Sequence, residues 1–275
     1  MRPSGMVTLL TDFGLEDPYT AMMKGAVLSI NPAARIIDIS HHIPAGAVMQ
    51  ASWALFETYP YFPEKTVHVA VVDPGVGTRR RPILVKARSH LFVGPDNGIF
   101  SPILEDCRDA QIIHLKDPRY FLKHVSNTFH GRDLFAPAAA YLSLGTDPLA
   151  MGPMIDDPVR LPFPRPYTKK GSLWGQIVRV DHFGNLITNL RAEDVKKFLA
   201  GRRGIIAVGN LRVEGISKTY GEAPPRQALA LFGSSGRLEI AVNKGRAADR
   251  AGLETAMLVG GEVMVSPSPG DADHS

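Results

Sequence analysis

Residues 148–166, "PLAMGPMIDDPVRLPFPRP", separate two stretches of chain whose hydrophobic rhythms differ. A run this rich in proline lacks the backbone donors and the periodicity of a helix or a strand. Before it, apolar strands alternate with helical segments. "MVTLLTDFG" reads as a strand ending near Asp12. "DPYTAMMKGAVLSINP" reads as a helix capped by Asp17, with Pro18 at its first position and Met22, Met23, Ala26, Val27 and Ile30 along one face. The pattern continues through "RIIDIS", "AVMQASWALFETY", "TVHVAVVDPG", "ILVKA", "HLFVGPDNG" and "DLFAPAAAYLSLG". Such alternation predicts an α/β domain with a mostly parallel sheet covered on both faces.

After the proline-rich stretch, "SLWGQIVRVDHFGNLITNL", "GIIAVG", "LRVEGIS", "QALALFG", "RLEIAV" and "EVMVSP" are short strands parted by turn residues. Helix is expected there only over "AEDVKKFLA" and "RAADRAG". This half predicts a small antiparallel β-barrel or sandwich. The expected organisation is an α/β domain over residues 1–150, a proline-rich linker over 151–170, a β domain over 171–267 and a frayed tail over 268–275.

Composition removes several classes of function. The chain has 275 residues, 44% of them hydrophobic, enough for one large core or two modest ones. No run of 18 uncharged apolar residues occurs, and the apolar stretch before Asp12 is too short for a signal peptide, so a soluble cytoplasmic protein without a membrane partner is expected. The net charge is +4, but the basic residues form short scattered groups (Arg79 to Arg81, Lys169 and Lys170, Lys196 and Lys197, Arg202 and Arg203) with no aromatics interleaved, so no nucleic-acid partner is expected. Cys107 is the single cysteine, which excludes an intrachain disulfide and a cysteine-built zinc site.

Polar residues gather where the strands of the first half end: Thr11 and Asp12, then Ser40, His41 and His42, then Asp73, then Asp96 and Asn97. In an open parallel sheet, ligands bind outside those carboxyl ends. Gly14, Gly75, Gly77, Gly94 and Gly98 stand beside them and permit close backbone approach. "NTFHGRDLFAP" adds His130 just ahead of a helix, where backbone N–H groups point outward. "VVDPGVGTRR" sets Asp73 at a strand tip and arginines one glycine loop away. Two chemistries suit this inventory: a two-metal phosphoesterase, needing about four to six ligands, or a metal-free site in which carboxylate, imidazole and guanidinium handle a water. A nucleoside-binding module without turnover is the non-enzymatic reading. Spacing leaves the three open.

Five motifs narrow the choice. "TDFG", "DPGVGTRR", "GPDNG", "FHGRDLFAPAAA" and "VDHFGNLITN", in this order over nearly the whole chain, resemble the S-adenosyl-L-methionine hydroxide adenosyltransferase family, relatives of fluorinase and chlorinase. The resemblance implies a three-layer N-terminal α/β domain, a C-terminal antiparallel β-barrel and a homotrimer with active sites at subunit contacts. It also implies hydrolysis of S-adenosylmethionine to adenosine and methionine by in-line attack of water at the ribose 5′ carbon, with no cofactor and no metal. Matched residue by residue, the water-handling set falls on Asp73, Arg80 and His130, with Arg79 and Arg81 flanking the matched arginine. Asp12 falls at the ribose hydroxyls, and Asp181 and Asn185 at the methionine part. Ser234, Ser235 and Asn243, in "GSSGRLEIAVN", fall near the adenine; Ser235 stands where the halogenases carry an arginine.

Overall fold

In the computed structural model, which describes residues 4–254 and 258–269, the chain divides into two units, Met1–Pro162 and Phe163–Ser275. The first is built on a six-stranded sheet of β1 (Met6–Thr11), β2 (Arg35–Ser40), β3 (Val67–Val71), β4 (Pro82–Ala87), β5 (His90–Pro95) and β6 (Gln111–His114), in the order β2-β1-β3-β5-β4-β6. β1 pairs in parallel with β2 and β3, and β3 with β5; β4 runs antiparallel to both β5 and β6. Side-chain alternation along the strands supplies both faces. Val7 and Leu9 of β1, with Val67 and Val69 of β3, pack beneath α1 (Tyr19–Ile30) and α4 (Ala136–Ser143). Leu10 and Ala70 join the opposite core, with α2 (Val48–Thr58) and α3 (Ser101–Asp106). The result is three layers around a mostly parallel sheet.

Local details depart from the sequence reading. Helix α1 starts at Tyr19 with Pro18 in the capping position, its carbonyl accepting from Met22 N at 2.9 Å, and no side chain caps the helix, so Asp17 is not the cap. The fixed φ of proline suits the cap as well as the first helical position. Met22 is 42% exposed while Met23 and Val27 are fully buried, so the apolar face is narrower than expected. α3 and β6 span 6 and 4 residues, too short for periodicity to reveal.

The proline-rich stretch is fastened to the first unit along most of its length. Ile155 N donates to Ile112 O at 2.9 Å, Val159 N to Asp96 Oδ1 at 2.8 Å and Leu161 N to Ser101 Oγ at 2.9 Å.

The second unit contains β7 (Tyr167–Lys169), β8 (Ser172–Val180), β9 (Leu186–Arg191), α5 (Ala192–Leu199), β10 (Gly204–Val208), β11 (Leu211–Glu214), β12 (Ala228–Phe232), β13 (Arg237–Val242) and β14 (Glu262–Pro267). The order β11-β10-β14-β8-β9-β13-β12 is antiparallel throughout, with β7 added beside β8. Past β11, Ser217 N donates to Ala230 O at 2.7 Å, which draws the two ends of the sheet together into a nearly closed barrel around Ile177, Leu186, Ile206, Leu238 and Ile240. "RAADRAG" is a turn and not a helix: Arg250 N and Ala251 N both donate to Ala247 O. Gly245 and Gly252 bracket a segment too short to repay helix nucleation. The tail expected over 268–275 lies outside the described residues from 270 onward.

A polar thread crosses the α2 side of the first core. Thr8 Oγ1 and His68 Nδ1 are 2.8 Å apart, and His68 Nε2 lies 3.2 Å from His90 Nδ1. His68 is fully buried, stacked on Phe92, and burial, assisted by His90, pushes its pKa down to about 3. The folded protein therefore keeps His68 neutral at pH values where the unfolded chain, with a histidine pKa of about 6.5, takes up a proton. Stability is complete above that value and is lost as pH falls toward the folded pKa. We expect this residue alone to remove about 2–3 kcal/mol of unfolding free energy between pH 7 and pH 4.5. Urea titrations of wild type and His68→Gln at both pH values check this: the variant must lose less than wild type over the same interval.

Candidate active site

β3 ends at Val71, and two residues later Asp73 begins a glycine loop that turns the chain back on itself. Val76 N donates to Asp73 O at 3.2 Å, Thr78 N to Gly75 O at 3.2 Å and Thr78 Oγ1 to Gly75 O at 2.7 Å. Gly77 adopts a φ of 75°, and a Cβ there would lie 2.3 Å from Asn127 O, so only glycine lets this loop press against the segment leading to His130. The loop returns Arg80 over Asp73. Arg80 Nε donates to both Asp73 oxygens at 2.9 Å, Nη2 donates to Asp73 Oδ2, and Nη2 also donates to His130 Nδ1 at 2.8 Å. Arg80 and Asp73 side chains are only 9% and 5% exposed, and the guanidinium lies 5.2 Å over the Phe135 ring. The three neighbouring arginines separate clearly: Arg79 is exposed, and Arg81 pairs with Asp96 and Asp157.

This geometry sets the tautomer of His130. A guanidinium donates and does not accept, so Nδ1 presents its lone pair to Arg80 and the proton of the neutral ring sits on Nε2. Burial, then the Arg80 charge, hold the His130 pKa below the usual histidine value. The imidazole is thus a neutral donor near pH 7, and Asp73 keeps lone pairs beyond those taken by Arg80. Among the described residues, Arg80 Nη1 is buried without a protein partner. A buried donor of that kind costs about 1–3 kcal/mol unless a water or ligand oxygen takes it.

Asp12 follows β1 directly. Its Oδ2 accepts from Gly46 N at 2.9 Å, engaging one of its two oxygens. The turn that carries it is pinned from behind by His41, which was visible in the sequence only as one more polar strand-end residue. His41 Nδ1 meets Thr11 Oγ1 at 2.8 Å, and His41 O accepts from Gly14 N at 2.7 Å. Asp12, Asp73, Thr128 and His130 share one cavity of about 370 Å³, whose apolar wall includes Val71, Val76, Phe13, Tyr19 and Phe129. Asp96 and Asn97, also read as strand-end candidates, are spent on structure: Asp96 holds Arg81 and Val159 N, and Asn97 Nδ2 donates to Val72 O at 2.8 Å. Among the described residues, no three His, Cys, Asp or Glu side chains gather in a way that would hold a metal ion, so a two-metal site finds no ligand set there.

Within the barrel unit, Asp181 and Asn185 close the β8–β9 turn on each other. Asn185 N donates to Asp181 Oδ1 at 2.8 Å and Asn185 Nδ2 to Asp181 Oδ2 at 2.9 Å. The pairing of Leu186 with Ile240 places Asn185 at the same barrel end as Asn243, whose Nδ2 donates to Ala223 O at 2.6 Å. Ser234 and Ser235 are exposed in the turn before β13, whereas Asn243 follows its far end. At about 3.3 Å per strand residue the two ends are on the order of 25 Å apart. Extended backbone thus separates what the motif writes side by side.

A three-layer α/β unit bearing a carboxylate and an imidazole at one cavity, both held by a buried guanidinium, followed by an antiparallel barrel unit, defines the class of enzyme. Family models for the S-adenosylmethionine hydroxide adenosyltransferase N-terminal and C-terminal domains match residues 7–152 and 175–259, and the chain belongs to that family. It is 40% identical over 266 residues to an (R)-S-adenosyl-L-methionine hydrolase of Thermus thermophilus, covering 94% of this chain and 99% of the relative. It is 24% identical over 291 residues to a fluorinase of Nocardia brasiliensis, covering 93% and 97%. A crystal structure of an uncharacterized conserved protein from Thermotoga maritima superposes with a TM-score of 0.89 at 33% identity, covering 95% of this chain and 100% of that one.

Proposed function

We propose that this protein hydrolyses S-adenosyl-L-methionine to adenosine and L-methionine by in-line attack of water on the ribose 5′ carbon. The observation that carries the reading is the Asp73–Arg80–His130 constellation at a cavity shared with Asp12. The family membership and the hydrolase relatives agree with it.

A sulfonium leaves readily without protonation, so the task is alignment and activation of the oxygen. Asp73 accepts the proton of the attacking water, and Arg80 holds that carboxylate fixed and favours the hydroxide character of the oxygen. His130 holds the same oxygen through Nε2–H. The new C–O bond forms as the C–S bond breaks, its electron pair goes to sulfur, and methionine leaves as a neutral thioether. Asp12 accepts from the ribose diol, for which a two-oxygen carboxylate is suited. Asp181 meets the methionine amino group and Asn185 its carboxyl group. The barrel end holding Asn243 serves the same ligand. The shared motifs also support a homotrimer with sites at subunit contacts, and light scattering of the pure protein tests the subunit number.

Incubation of the pure protein with S-adenosylmethionine is expected to release adenosine and methionine in equal amounts, detected by liquid chromatography, at a rate unchanged by chelators. Substrate left intact overturns the proposal. Loss of turnover on chelation restores the metal-dependent reading.

A further inference from the structure

Three aromatic side chains lie between the ribose-binding turn and His130. Phe13, Tyr19 and Phe129 pack with ring centroids 5.9, 5.7 and 5.3 Å apart, and their planes meet at 64°, 74° and 85°. Three planes at near right angles with centres this close make a corner, and all three rings line the cavity that holds Asp12, Asp73 and His130. Edge-to-face contact is the packing that aromatic rings ordinarily adopt; what sets these three apart is that they border the cavity together and that Tyr19 keeps 45% of its surface exposed, which leaves ring surface to meet a ligand. Aromatic faces attract a cation lying within about 6 Å of their centroids, and more strongly as water is excluded.

We propose that Phe13, Tyr19 and Phe129 form an aromatic corner that receives the sulfonium of the substrate and selects it over the neutral thioether. The inference rests on the hydrolase reading and deepens it, since the sulfonium sits one bond from the 5′ carbon whose ribose Asp12 would hold. Arg132 already covers Phe129, its guanidinium 5.1 Å from that ring, but its charge is paired with Asp133 at 2.6 Å, so Phe13 and Tyr19 carry most of the selection. The corner has a kinetic signature. The positive charge on sulfur disappears as the C–S bond breaks, so the aromatic faces stabilise bound substrate more than the transition state. Removing them weakens binding and does not lower kcat.

The test uses two unreactive ligands that differ at the relevant atom: sinefungin, with an ammonium beside the sulfur position, and S-adenosylhomocysteine, with a neutral sulfur. Wild type is expected to prefer sinefungin. Tyr19→Leu, at a half-exposed site whose change spares the core, loses at least about threefold in sinefungin affinity by calorimetry, and Phe13→Leu/Tyr19→Leu about tenfold. S-adenosylhomocysteine and adenosine affinities hold within about twofold, Tyr19→Phe behaves as wild type, and in turnover KM rises while kcat stays level or increases. Equal losses for the charged and neutral ligands, or a fall in kcat with KM unchanged, overturn the aromatic corner even if wild type hydrolyses S-adenosylmethionine. Selective loss of sinefungin in a protein that releases no adenosine instead overturns the hydrolase reading and leaves the corner in place.

Discussion

Asp73→Asn is expected to lower kcat for S-adenosylmethionine hydrolysis at least about 100-fold, with adenosine affinity changed by less than about threefold. The carboxylate is the one group in the constellation able to take the proton of water: Arg80 cannot accept one, and the Nδ1 lone pair of His130 is already given to Arg80. Asparagine keeps the size and one acceptor for Arg80 Nε but removes the base and the charge. Leaving a buried guanidinium without its ion-pair partner costs on the order of 3–5 kcal/mol of stability, so thermal unfolding of the variant is followed beside its kinetics. A folded variant that loses turnover and adenosine affinity in equal measure refutes the assignment of Asp73 to the nucleophile.

Asp12→Ala is expected to do the converse, weakening adenosine at least about 100-fold because charge-assisted hydrogen bonds of roughly 1.5–3 kcal/mol each are lost. The substitution also frees Gly46 N from its partner. Asp12→Asn keeps an acceptor for that amide and separates the two effects: it should retain the loop and still lose most of the affinity. Adenosine binding left unchanged in both variants, measured by calorimetry, rules out ribose recognition by Asp12.

Much of the first unit was legible because long, strongly apolar strands such as "TVHVAVV" end on polar residues, and the parallel sheet brings those ends to one edge. Asp12 and Asp73 were readable for that reason, and His130 from its place just ahead of a helix. Singling out Arg80 from its neighbours was not a matter of residue type. It depends on the turns at Val76 and Thr78, which aim one arginine at Asp73 and the next at Asp96. Contacts between distant segments were beyond reach: the aromatic corner joins residues 13, 19 and 129, none of which stands in an aromatic pattern in the sequence. In the barrel, the motif "GSSGRLEIAVN" compresses into eleven letters a strand whose ends face different neighbours, so proximity in sequence does not give proximity in space.

The central claim concerns the atom delivered to the 5′ carbon, and oxygen-18 water reads it directly. With Asp73, Arg80 and His130 presenting water for displacement, the label must appear in the 5′ hydroxyl of adenosine and methionine must remain unlabelled. Adenosine released without the label, or a 5′-halo nucleoside as the main product when chloride is present, contradicts the account.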